Sequence, residues 1–101
     1  MRPAEALLAV GLAELADIPV RRLSAGQRQR LALARFVLLD SALWIMDEPL
    51  TALDHDGQRM VEAMLADHAR RGGIAIVSTH HALAVPPPHF RRFEFGARPT
   101  P

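Results

Sequence analysis

The sequence contains no cysteine and no lysine among its 101 residues. The lack of cysteine excludes a disulfide framework and a thiolate metal site, and it fits a cytoplasmic setting. All twelve basic residues are arginine, so chemistry that requires a lysine must come from another chain or from residues outside this sequence. The net charge of +1 excludes the strongly basic footprint of a nucleic-acid-binding protein.

Long hydrophobic runs are also absent. No window reaches the roughly 18 uncharged apolar residues of a membrane-spanning helix. Glu5 interrupts the first ten residues and no cleavage-like site follows, which argues against a secretory signal. Hydrophobic residues make up 50% and charged residues 23%, a composition that excludes disorder over the whole length and indicates one small domain at most.

The spacing of apolar residues predicts three helices. The first is an amphipathic helix over Pro3–Ala16 with one leucine stripe. The second opens at Ser24, which has the S-x-x-Q spacing of a capping box with Gln27. Its second half is apolar nearly all round, which predicts burial on most sides. The third covers Gly57–Arg71 and ends at Gly72 and Gly73. Its apolar stripe consists of Val61, Met64, Leu65 and His68.

Two short apolar runs, Ala42–Met46 and Ile74–Ser78, show no alternation, which is typical of strands covered on both faces of a parallel sheet. Strand, helix and strand with short joints form a βαβ unit, so the two strands should be parallel neighbours. Phe90–Phe95 alternates weakly and predicts a third strand after the prolines at 86–88. Residues 96–101 are expected to be a disordered tail.

Polar side chains follow both strands. Asp47 and Glu48 come after the first, and His80 and His81 come after the second. Because function in such sheets collects at the carboxyl ends of the strands, we expect these four residues to lie side by side. Asp47 could reach a hydrated Mg²⁺ and Glu48 could polarise a water, but a solvated turn with two acids is an open alternative.

The start of the second helix predicts an anion site. Leu23–Gln27 places a hydroxyl and two small residues where backbone N–H groups point outward at the positive end of the helix dipole. A well-made N-cap with no ligand is the alternative. Two further short segments, Thr51–Asp54 and Ser78–His80, are weaker signals, and a histidine just past a strand end can contact a phosphate or be merely structural.

In this order the four segments resemble the ATP-binding subunit of ABC transporters. Leu23–Gln27 (LSAGQ) resembles the signature motif and Leu43–Glu48 (LWIMDE) the Walker B strand with its catalytic glutamate. Thr51–Asp54 resembles the D-loop, and His80 resembles the switch histidine. The resemblance extends over about Pro3–Leu83. The runs GLAELADIPV, LSAGQRQRLALAR and LWIMDEPLTALD are most similar to the haem-exporter branch of the family, which serves cytochrome c biogenesis.

The resemblance implies ATP and Mg²⁺ as cofactors. Asp47 would support the metal through water, Glu48 would be the general base, and His80 would contact the γ-phosphate. In a head-to-tail dimer with a second ATP-binding subunit, Asp54 would contact the opposite subunit. The nucleotide held by that subunit would be bound by Ser24, Ala25, Gly26 and Gln27. The membrane partners would resemble CcmB and CcmC, at the cytoplasmic face of the inner membrane, and no nucleic acid would be bound.

The family's Walker A pattern, G-x-x-x-x-G-K-[ST], requires a lysine that this sequence lacks. The expected fold class is therefore α/β, a partial P-loop NTPase fold of the ABC type: a short parallel sheet with flanking helices and the Walker A half absent. Residues 1–95 would be the C-terminal portion of the ATP-binding domain. We expect the isolated chain to be inactive and its Ile74–Ser78 strand to keep an unpaired edge.

Two alternatives remain, and a third is excluded. The chain could belong to an ABC transporter of lipids, metals or drugs, or it could be a docking fragment without turnover. A DNA-repair ATPase shares the signature and Walker B motifs, but it would show long heptad segments and a basic stripe, which are missing here.

Overall fold

Helices precede, separate and cover two strands in this computed structural model, which describes residues 2–39 and 41–85. The predicted strand at Phe90–Phe95 and the predicted tail at 96–101 lie outside the described residues. Short 3₁₀ turns occur at Ala13–Leu15 and Val20–Arg22. The main elements are α1 (Pro3–Ala9), α2 (Ala25–Leu38), β1 (Leu43–Asp47), α3 (His55–Arg70) and β2 (Ile74–Ser78).

Helix α1 is shorter than the predicted Pro3–Ala16, and that prediction was wrong in its C-terminal half. The helix ends at Ala9, and Gly11 adopts a φ of +77°, a left-handed conformation that ends a helical turn. A Cβ built on Gly11 would lie 2.8 Å from Nη1 of Arg30, so another residue there would be strained by its φ and would also displace the Arg30 guanidinium. Leu12 then enters the core from the position before the 3₁₀ turn rather than from the helix.

Helix α2 begins with the predicted capping box. The Ser24 side chain accepts from the backbone of Gln27, and the Gln27 side chain accepts from the backbone of Ser24. The expected burial of the second half on most sides is largely confirmed. Leu33 and Ala34 lie in the core, and four partly buried neighbours pack against it: Leu31, Phe36, Val37 and Leu38. Ala32 and Arg35 are exposed and mark the side that faces solvent.

Helix α3 starts at His55, two residues before the predicted Gly57, because Asp54 caps it. The Asp54 carboxylate accepts from the backbone N–H of Gly57 at 2.9 Å. The predicted apolar stripe is confirmed, since Val61, Met64, Leu65 and His68 are all buried.

Strands β1 and β2 are parallel neighbours, as predicted, with Leu43 opposite Ile74 and Asp47 opposite Ser78. The helices cover one face of this sheet. On that face Trp44 stacks on His68 with ring centroids 3.7 Å apart. The edge of the Trp44 ring meets Phe36 of α2 at a centroid distance of 5.6 Å.

The opposite sheet face is open, so the expectation of strands covered on both faces is wrong for the described residues. Four aliphatic side chains there have exposed fractions between 49% and 66%. We call them the open sheet face: Leu43, Ile45, Ile74 and Ile76. The sheet has only these two strands within residues 2–39 and 41–85, in agreement with the expected unpaired edge. None of the described helices is long and apolar enough to cross a membrane.

His68 fastens the N-terminal ends of both strands. Its Nε2 lies 3.0 Å from the carbonyl oxygen of Ala42 and 3.2 Å from that of Ile74. Because both partners only accept hydrogen bonds, Nε2 carries the proton and donates to them. A Cβ on Gly73 would clash with the imidazole ring, so a residue without a side chain is needed beside it.

Candidate functional site

Glu48 stands where β1 ends, and groups from the end of β2 hold its carboxylate. Oε1 accepts from the backbone N–H of His80 at 3.0 Å, and Oε2 accepts from the Thr79 hydroxyl at 3.2 Å. The backbone N–H of Glu48 donates to the Ser78 carbonyl at 2.6 Å, one residue beyond the last register pair. The side chain keeps 27% of its surface exposed, so the carboxylate is fixed in direction and still accessible.

Two histidines flank this carboxylate. Nε2 of His80 lies 3.3 Å from Oε1 of Glu48, and Nδ1 of His81 lies 3.9 Å from Oε2. The His80 side chain is 92% exposed, so most of its ring faces solvent. The expectation that polar residues from both strand ends lie together is therefore confirmed for Glu48, His80 and His81.

Asp47 does not join that cluster. It follows Leu43 and Ile45 in the alternation of β1 and is exposed, whereas Trp44 and Met46 are buried. Within the part of the chain that the structure describes, no hydrogen bond or ion pair reaches its carboxylate, and no group of three or more metal-ligating side chains forms. Asp47 thus offers a single carboxylate, which suits a Mg²⁺ that takes most of its ligands from water and phosphate.

The N-terminus of α2 leaves three donors available. The capping box uses the N–H groups of Ser24 (2.9 Å to Gln27 Oε1) and Gln27 (3.1 Å to Ser24 Oγ). The N–H groups of Ala25 and Gly26 meet no acceptor among the described residues. The capping box uses the Ser24 hydroxyl only as an acceptor, so the hydroxyl proton is free to donate to another group. Two amides and a hydroxyl at the positive end of a helix suit an anionic ligand.

A cleft of about 250 Å³ opens beside this helix start. Its other wall is the segment that follows β1, and the two walls touch at Gly26, where a Cβ would lie 2.8 Å from the Ala52 carbonyl oxygen. Asp54 also lines the cleft, and its Oδ1 caps α3 and lies 3.7 Å from Nη2 of Arg30. The lining residues are Ser24, Gly26, Gln27, Arg30, Ala52, Leu53 and Asp54.

Gln29 and Arg30 were missed from the sequence, whereas Thr79 lies in the predicted segment Ser78–His80 but was given no role of its own. The Gln29 amide donates to the Pro49 carbonyl at 2.9 Å, and Nη1 of Arg30 donates to the Val10 carbonyl at 3.1 Å. The position of Gln29 and Arg30 in the sequence was the signal that could have revealed them. They follow Gly26 by three and four residues and precede buried Leu33, so they lie on the inward face of α2, where a polar side chain needs a partner.

Comparison with known proteins agrees with this geometry. Residues 1–51 match a family model described as ABC transporter. The "Cytochrome c biogenesis ATP-binding export protein CcmA" of Vibrio cholerae serotype O1 is 49% identical over 92 residues, covering 91% of this chain and 44% of that protein. The protein of the same name from Xanthomonas oryzae pv. oryzae is 53% identical over 95 residues, covering 94% and 44%. The chain thus spans less than half the length of these relatives.

Two solved structures share the fold. The archaeal ribosome recycling factor aABCE1, in complex with the ribosomal stalk protein aP1, aligns with a TM-score of 0.65 and 31% identity over 75% of this chain and 15% of that one. An ATP-binding cassette of an ABC transporter in its ADP conformation aligns with a TM-score of 0.60 over 77% of this chain and 31% of that one, and at 19% identity it supports the fold alone. From the family match, the relatives and the fold together, the chain belongs to the ABC transporter family.

Proposed function

We propose that this chain supplies the signature and Walker B elements of an ATP-hydrolysing subunit, with residues 1–95 as the C-terminal portion of its ATP-binding domain. The observation that carries the proposal is the Glu48 carboxylate. Groups that follow β2 fix it, and it lies beside the exposed His80 ring. A carboxylate fixed in this way is suited to take a proton from an attacking water.

The residues of the strand ends then have distinct roles. Bound Mg-ATP supplies the scissile phosphoanhydride and a cation that neutralises its charge. Glu48 accepts the proton of the water, and the Thr79 hydroxyl keeps its carboxylate aimed. The His80 ring is exposed beside this carboxylate, which leaves it accessible to a phosphate oxygen. Asp47 holds the hydrated metal through its free carboxylate.

The start of α2 serves a second nucleotide, held by another ATP-binding subunit in a head-to-tail dimer. The Ser24 hydroxyl and the amides of Ala25 and Gly26 donate to its phosphate. Gln27 acts through the capping box, because its side-chain oxygen is occupied by the Ser24 N–H. Asp54 borders the same cleft with 78% of its side chain exposed, which leaves it accessible to the opposite subunit.

The transported cargo is proposed to be haem. This step rests on identity near one half to CcmA relatives over nine-tenths of the chain. The partners would be membrane subunits resembling CcmB and CcmC, and the protein would lie peripherally at the cytoplasmic face of the inner membrane.

Glu48→Gln tests the hydrolytic role in a chimera that joins residues 1–95 of this chain to the unmatched part of the Vibrio cholerae relative. We expect ATP turnover to fall by about 10²–10⁴-fold, the usual contribution of a general base. Nucleotide binding should persist, because the substitution removes no donor. Glu14→Gln, at an exposed position far from the site, is the matched control. Near-normal hydrolysis by the Glu48 variant would remove this residue from the role.

Docking without turnover is the second candidate function, and two observations favour it: the sequence has no lysine to cradle a phosphate, and one sheet face is open. Mg-ATP binding to the 101-residue chain alone should be far weaker than to the chimera. A folded chimera that binds nucleotide but never hydrolyses it would favour docking over catalysis.

A further inference from the structure

The turn that carries Glu48 is held in a conformation that its residues avoid when free. Glu48 has a φ of +46° and Ala52 a φ of +63°, both in the left-handed region that residues with a Cβ seldom adopt. Such a conformation persists only where surrounding contacts determine it. The direction of the Glu48 side chain depends on this φ, so the contacts that fix the turn also aim the carboxylate.

Gln29 of the neighbouring helix α2 supplies one of those contacts. Its Nε2 donates to the Pro49 carbonyl at 2.9 Å and lies 3.5 Å from the Glu48 carbonyl. Within the turn itself, the Thr51 N–H donates to the Glu48 carbonyl at 3.2 Å. Proline has no backbone N–H, so Pro49 cannot donate a main-chain hydrogen bond that would fix the turn. The amide of Gln29 therefore holds the backbone on both sides of Pro49.

We infer that Gln29 is a positioning residue for the general base, and that it connects the two nucleotide sites of one subunit. It lies one helical turn after Gly26, whose amide belongs to the anion-binding start of α2. A shift of that helix when it meets a phosphate is transmitted through the Gln29 amide to the backbone of Glu48. The inference rests on the proposed function, because it assigns Gln29 an effect on a carboxylate that acts on water.

Gln29→Met in the chimera tests this link, since methionine has a similar size but no donor. We expect kcat for ATP hydrolysis to fall by roughly 10- to 100-fold, as a small misplacement of a reacting group does. The KM for ATP should change by less than about twofold, because Gln29 touches no proposed ligand donor. Gln29→Lys restores a donor and should recover most of the lost kcat. Arg28→Met, at the exposed neighbouring position, is the matched control.

A double substitution separates this inference from the proposed function. If Gln29 acts through the carboxylate, Gln29→Met should cause little further loss in a Glu48→Gln background. A Glu48→Gln chimera with near-normal turnover would refute the proposed function itself. If Glu48→Gln is inactive while Gln29→Met keeps its kcat, only the positioning role is wrong. If Gln29→Lys is as impaired as Gln29→Met, or if the loss appears in KM and unfolding temperature alone, the residue is merely structural.

Discussion

Ser24 combines an observed structural duty and a proposed chemical duty in one hydroxyl. Its oxygen accepts from the Gln27 N–H and thereby caps α2, while its proton is left for the proposed donation to a phosphate. Any substitution that removes the hydroxyl disturbs both duties, so loss of activity alone would not identify the chemical one. A pair of variants can separate the two.

Ser24→Ala should lower the free energy of unfolding by about 1 kcal/mol, because the N-cap is lost. Ser24→Asp should be close to the unsubstituted protein in stability, since aspartate is as good an N-cap as serine. It should nevertheless abolish turnover in the chimera, because it places a negative charge where the phosphate would lie. Urea denaturation and ATP hydrolysis give the two readouts. Normal turnover by Ser24→Asp would reduce the residue to a cap.

Sequence predicted some residues of the candidate site and missed others, and the difference has a physical origin. Glu48 and His80 were predicted because strand ends in a βαβ unit meet at one edge. Gln29 and Arg30 were missed because their partners are main-chain carbonyls about 20 residues away, and a main-chain carbonyl has no signature in the sequence. The proposed roles of all these residues remain predictions.

At the scale of elements, His68 joins three of them. It extends from α3, donates to the carbonyl that precedes β1 and to the first carbonyl of β2, and stacks on Trp44. The ring therefore sets the spacing of the two strands at their N-terminal ends, opposite to the end that carries Glu48. Its position in the predicted apolar stripe showed that it would be buried, but not that it would bind the sheet.

His68→Phe should retain the stacking on Trp44 and lose both hydrogen bonds. We expect the free energy of unfolding to fall by about 1–3 kcal/mol, because the Ile74 carbonyl loses a donor in a half-buried site. The measurement is a urea titration. His55→Phe, at the exposed first position of α3, is the matched control. A His68→Phe protein as stable as the unsubstituted one would show that stacking alone holds the strands.

Element types were predicted well, and element ends were not. Each of the main helices and strands between residues 2 and 85 overlaps the segment where apolar spacing predicted it, because burial of one face follows from that spacing. The predicted strand at Phe90–Phe95 stays a prediction. The positions of the helix ends depended on single residues. Helix α1 ends earlier than predicted because of Gly11, and α3 begins earlier because the Asp54 carboxylate accepts from the Gly57 N–H. The expected burial of β1 on both faces is wrong for the described residues. An apolar run shows that both faces of a strand can be covered, but not that a covering layer is present.

At the scale of the whole molecule, the open sheet face dominates the expected solution behaviour. An exposed apolar patch beside unpaired strand edges favours association. Ile45→Thr combined with Ile76→Thr should make the 101-residue chain more monodisperse at a given concentration. The effect on unfolding should be small, because threonine suits strands and both positions are exposed.

Light scattering over a range of protein concentrations measures the association. Leu8→Thr is the control, since Leu8 is 69% exposed on α1, away from the sheet. Equal scattering by the double variant and the unsubstituted chain would show that the open sheet face does not drive association.

The parallel register has a consequence for how the site comes into being. Paired residues such as Leu43 and Ile74 are 31 positions apart, and Glu48 has the same separation from Thr79. During synthesis Glu48 is made before the hydroxyl and amide that hold it, and the residues of the α3 crossover are made between them. A nascent chain that ends before β2 already contains the segments 23–27 and 43–48 but none of the groups that fix the Glu48 carboxylate. The order of translation thus keeps the proposed catalytic arrangement from assembling until β2 and the residues after it have been made.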